Sequence, residues 1–180
     1  MLQISTAALQ DELLSYFDEW CRRFRERVDG LSQDEYLWEP VPGCWSVRAT
    51  PAGPQVERIE PEPDPAPFTT IAWRMWHIVI ECLDDYAGRV FGRRGTQLTD
   101  RAFTLEATEA VDLLDVAAAN FRAGLVDMGP DWLLAQLGPA YGPYADATCY
   151  GLMLHVVDEL VHHGAEVALL RDLHRAERFG

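Results

Sequence analysis

Residues 147–173 read ATCYGLMLHVVDELVHHGAEVALLRDL, and this stretch decides the fold. Stepping through it by four and three residues picks out Leu152, Val156, Glu159, His163, Glu166 and Leu170. That repeat is one face of an α-helix. Apolar residues hold both ends of the stripe and ionisable ones its middle. An unpaired buried carboxylate is costly, so such groups are paired or placed on a cation. Glu159 and His163 project side by side at i, i+4 spacing. Two ligands of one metal ion fit that spacing, and so does a buried hydrogen-bonded pair.

Three further segments carry the same periodicity. Over residues 6–30, Leu9, Leu13, Phe17, Trp20, Phe24 and Val28 form a stripe that Gly30 terminates. Over 69–92 the stripe is Ala72, Trp76, Val79, Leu83, Tyr86 and Val90, with Thr69 or Thr70 as cap and Gly92 as stop. Over 105–128 it is Ala110, Leu114, Ala117, Phe121 and Leu125, ended by Gly129 and Pro130. Residues 32–38 and 131–137 have room for short helices. No sustained period-two alternation predicts a strand. The expected fold is all-α, a four-helix bundle in a single domain spanning residues 1–180. Its first and second helices are joined by a long crossover. Six prolines between residues 49 and 67 forbid a regular helix there. The expectation is an extended loop over the bundle, functional or mobile.

The rest of the composition narrows the function. A formal charge of −14 repels phosphate backbones, so no nucleic-acid partner is expected. No apolar run approaches the ~18 residues of a membrane helix. Residues 1–18 contain acids and no basic leader region, which predicts a cytoplasmic protein. Cys21, Cys44, Cys82 and Cys149 are scattered without a Cys-x-x-Cys pair and are expected as free thiols. All 15 basic residues are arginine, the bias of a GC-rich genome.

A third ligand to join Glu159 and His163 should come from another helix. His77, beside the apolar stripe of the second and flanked by Trp73, Trp76 and Ile80, is the candidate. Two histidines and a carboxylate with open positions suit zinc, nickel or iron. Trp45, Trp73 and His162 are candidates for the wall of a pocket between the helices and loop 43–67, though the tryptophans fit a core equally well. His155, His162 and Glu166 are the available acid–base groups.

Three strings carry a family resemblance: Gly43-Cys44-Trp45-Ser46-Val47-Arg48, Thr69-Thr70-Ile71-Ala72-Trp73-Arg74-Met75-Trp76-His77-Ile78, and Asp158-Glu159-Leu160-Val161-His162-His163-Gly164-Ala165-Glu166. In order and spacing the chain resembles the DinB-like superfamily, which includes the metal-binding domain of mycothiol-dependent maleylpyruvate isomerase. The resemblance implies a four-helix bundle with a divalent metal, zinc or nickel, on His77, Glu159 and His163. Most of that family has histidine where this chain has Glu159, and the isomerase branch has glutamate. It further implies a homodimer, a small-molecule substrate and a low-molecular-weight thiol cosubstrate of the mycothiol type, used in transfer or isomerisation. The alternative is a non-catalytic, metal-stabilised bundle that binds a ligand or partner.

Overall fold

A computed structural model describes residues 5–96, 98 and 102–179. The first four residues, part of the stretch read above as leaderless, lie outside them. The described chain is mostly helical. Helix α1 (Thr6–Val28) begins on Ser5, whose side chain accepts from the Ala8 amide, and buries Leu13, Phe17, Trp20, Phe24 and Val28. Helix α2 (Gln33–Leu37) is set by a capping box in which Ser32 and Glu35 exchange side-chain-to-backbone bonds. Helix α3 (Ile71–Trp76) starts from Thr70, whose hydroxyl accepts from the Trp73 amide. The same rod continues as a π-helical segment, His77–Asp84, and then as α4 (Asp85–Phe91), closed by left-handed Gly92. Helix α5 (Ala107–Met128) and the 31-residue α6 (Cys149–Phe179) follow, with 3₁₀ turns Pro130–Leu134 and Pro139–Tyr144 between them. Apolar residues of α1, the 71–91 rod, α5 and α6 share one core. No helix among the described residues is long and apolar enough to cross a membrane.

Two features correct the sequence reading. The proline-rich stretch is not wholly irregular. Strands β1 (Val47–Thr50) and β2 (Gly53–Val56) form an antiparallel hairpin in which Val47 faces Val56, both buried. A four-residue strand is too short to show alternation. Pro54 is tolerated beside the turn of a two-stranded hairpin, where no central strand needs its missing N–H. The second departure is the π-helical segment. Its widened turn carries an i→i+5 bond from the Asp85 amide to the Ile80 carbonyl. Ile78, Val79, Ile80, Cys82, Leu83 and Asp84 are all buried there, a pattern one α-helical stripe does not accommodate. Asp84 accepts from the Gly95 and Thr96 amides and the Thr96 hydroxyl, which fixes the turn after α4.

The hairpin's entry fastens the start of α3. The Trp45 amide donates to the Phe68 carbonyl at 2.8 Å, and the Thr70 amide donates to the Trp45 carbonyl at 2.9 Å. The Ser46 and Thr70 hydroxyls lie 2.9 Å apart. Gly164 of α6 lets α1 come close: a Cβ there would stand 3.1 Å from the Trp20 ring and 3.3 Å from Phe24. That contact pins α6 one residue past His163.

Candidate metal centre

His77 leaves the first turn of the π-helical segment, and Glu159 and His163 leave the middle of α6. The three side chains meet. Glu159 Oε2 lies 3.5 Å from His77 Nε2 and 3.1 Å from His163 Nε2. The two imidazole rings stand edge to face with centroids 4.5 Å apart.

Each ring is also held from behind. His77 Nδ1 donates to Glu81 Oε2 at 2.6 Å, and His163 Nδ1 donates to Glu166 Oε2 at 2.7 Å. A carboxylate on one imidazole nitrogen fixes the ring and frees the other nitrogen as a ligand. Arg58 bonds Glu81, and Arg74 Nε donates to Glu166 Oε2 at 2.9 Å. The Arg74 guanidinium lies 5.2 Å from the Trp73 ring centre. Burial pushes the Glu81, Glu159 and Glu166 carboxyls up, but their bonds to the histidines, with help from Arg58 and Arg74, outweigh it. All three are held below the usual carboxylate range.

The arrangement has an electrostatic consequence. With Nδ1 donating, a neutral imidazole turns its Nε2 lone pair toward Glu159. Two lone pairs and a carboxylate oxygen then converge and repel. A proton on the ring nitrogens, or one metal ion shared by all three, would relieve that repulsion. Two imidazolium ions side by side repel each other, whereas a single divalent ion does not. The donor set therefore fits a metal of the kind bound by imidazole and carboxylate.

Trp45, Trp73 and His162 are not in the lining of the cavity beside these groups. Trp45 stacks on Trp73 (5.9 Å), and Trp73 stacks nearly parallel on His77 (5.6 Å, 10°). Trp73 Nε1 donates to the Glu57 carbonyl at 2.8 Å. Both tryptophans are buried, and Trp73 packs on the face of the His77 ring. The His162 side chain is 63% exposed, against 11% for His163, so His163 is the inward member of the pair. A cavity of about 260 Å³ opens beside the centre, with Cys82, Tyr86, Arg89 and His155 next to His77 and Glu159. His155 Nδ1 lies 3.9 Å from Glu159 Oε1.

The sequence assigned no role at this site to Glu81, Arg74 or Cys82. The i, i+4 spacing of His77 and Glu81 was a usable signal for the first. Cys82 was hidden by the π-helical turn. Among the described residues, His77, Cys82 and Glu159 offer ligand atoms within 4.8 Å of one another, as do His162, His163 and Glu166.

Fold and site together define a mostly helical protein with a candidate metal centre between two of its long rods. The model of the DinB superfamily matches residues 16–167, and the chain belongs to that superfamily. A search of curated proteins finds no match.

Proposed function

We propose that the protein holds one divalent metal, zinc or nickel, on His77, Glu159 and His163. In this reading it uses a low-molecular-weight thiol in a transfer or isomerisation reaction on a small molecule, as the resemblance to mycothiol-dependent maleylpyruvate isomerase implies. The observation that carries the metal is the carboxylate found on both nitrogens of each imidazole. When bound, such a metal lowers the pKa of a coordinated thiol and so supplies thiolate at neutral pH. The chain's own residues do the rest. Glu81 and Glu166 orient the rings, and the Trp45–Trp73 stack fixes His77 in place. Glu159 keeps one negative charge in the centre, leaving a divalent ion with a net attraction for an anionic sulfur. His155, on the cavity wall, is placed to pass a proton between cavity and solvent. His162 points outward, and Glu166 is engaged by His163 and Arg74.

The family's four-helix bundle, with the long link between its first and second helices as the crossover, belongs to the same proposal. So do a homodimer, read by light scattering, and a cytoplasmic location. The test is metal analysis of protein purified without a tag, with calorimetric titration of the zinc-loaded form by several low-molecular-weight thiols. The expected result is one equivalent of metal, lost in His163→Ala, and thiol binding that requires the metal. Metal without any heat of thiol binding would favour a non-catalytic, metal-stabilised module.

A further inference from the structure

Cys82 sits five residues after His77. In an α-helix five steps turn the chain about 140° away from its start, so a residue at that spacing faces elsewhere. In the π-helical segment His77–Asp84 the turn is wider and closes from i to i+5. Cys82 is thereby brought under His77. Glu81, four residues on, bonds the ring at Nδ1, and the Cys82 sulfur comes within 4.8 Å of a ring nitrogen. The Cys82 sulfur lies in one group with ligand atoms of His77 and Glu159, all within 4.8 Å of one another. It also lines the cavity that opens on these two residues. The residue is 2% exposed and forms no disulfide. His163 lies outside that group and joins it through Glu159, 3.1 Å away; with it the set is two histidines, a carboxylate and a cysteine, donors of the types that close a tetrahedral zinc site.

Resting on the metal reading above, we propose that Cys82 is the fourth protein ligand of the resting centre and the ligand that an incoming thiol replaces. On metal binding the Sγ–H proton leaves through the cavity and an Sγ–metal bond forms. On thiol exchange the incoming sulfur forms its bond to the metal, the Cys82 bond breaks, and Cys82 Sγ takes the proton the thiol gives up. No electrons are gained or lost. The centre is then closed until a thiol arrives, which keeps water off the metal and makes soft donors its selective openers.

The experiment is cobalt substitution without any added thiol. Wild-type protein is expected to show a thiolate-to-cobalt charge-transfer band that Cys82→Ser loses while still taking up cobalt and keeping its helical circular dichroism. X-ray absorption of the zinc form should find one sulfur neighbour at about 2.3 Å, absent in Cys82→Ala. Cobalt uptake without the band, or a band that survives in Cys82→Ser, overturns this inference and leaves the three-ligand centre standing. No uptake of cobalt or zinc by the wild type overturns both.

Discussion

Glu81→Gln tests whether the carboxylates behind the histidines serve the metal. In the wild type His77 Nδ1 donates to Glu81 Oε2 at 2.6 Å. Glutamine can still accept that bond through its amide oxygen, so the ring keeps its orientation and loses only the charge opposite it. A hydrogen bond to a charged group contributes about 1.5–3 kcal/mol and a neutral one about 0.5–1.5 kcal/mol. The difference of about 1–1.5 kcal/mol is roughly tenfold in metal affinity. Glu81→Ala removes the bond altogether and should approach the hundredfold end of the range seen for such partners. Glu81 also binds Arg58, so each variant needs a stability measurement without metal. The assay is competition for zinc against a chromophoric chelator, with urea unfolding of the metal-free proteins alongside. Affinities equal to the wild type in both variants would refute the reasoning. So would a loss no larger in Ala than in Gln.

Three predictions concern the scaffold. Arg171 is buried, bonded to Glu35 at 3.0 and 3.2 Å, and caps the end of α1 through the carbonyls of Asp29 and Gly30. Arg171→Met strands Glu35 without its main partner and should cost about 3–5 kcal/mol at pH 7 in urea unfolding. Burial raises the Glu35 carboxyl, but its bonds from Arg171 and the Ser32 amide prevail and hold it down to about 2, from 4.5. That depression stabilises the fold above pH 4.5 and is lost as the pH falls toward 2, about 3 kcal/mol in all. Stability of the wild type that stays flat over this window would contradict the assignment. Gly124 packs so closely on Phe91 that a Cβ would stand 2.2 Å from the ring. Gly124→Ala should therefore cost about 1–3 kcal/mol, measured by urea unfolding. Combination with Phe91→Leu should recover part of the loss, giving a coupling above about 0.5 kcal/mol.

The helices were legible because burial leaves a 3.6-residue imprint. Leu13, Phe17, Trp20, Phe24 and Val28 are buried as their spacing predicts, and so are Ala110, Leu114, Ala117, Phe121 and Leu125. The juxtaposition of Glu159 with His163 was legible from their place on such a stripe. The hairpin was not, since four residues a strand fall below the length at which alternation is read. The π-helical segment was not, because its excess of buried residues reads as an ordinary apolar run. With it went Cys82, which α-helical spacing places far from His77. The roles of Trp45 and Trp73 depended on a stack across the chain, from hairpin entry to helix, that no local pattern encodes.

The π-helical segment also makes the site sensitive to length. Most helix positions are judged by which side chain they hold. Between His77 and Asp84 the number of residues matters as well. Holding these eight residues to ordinary α-helical pitch would place Cys82 about 140° around the rod from His77 and turn Asp84 with it. Removing one residue together with the wide turn would instead leave the flanking helices nearly in phase. The extra residue is absorbed locally, and the rod on either side keeps its register.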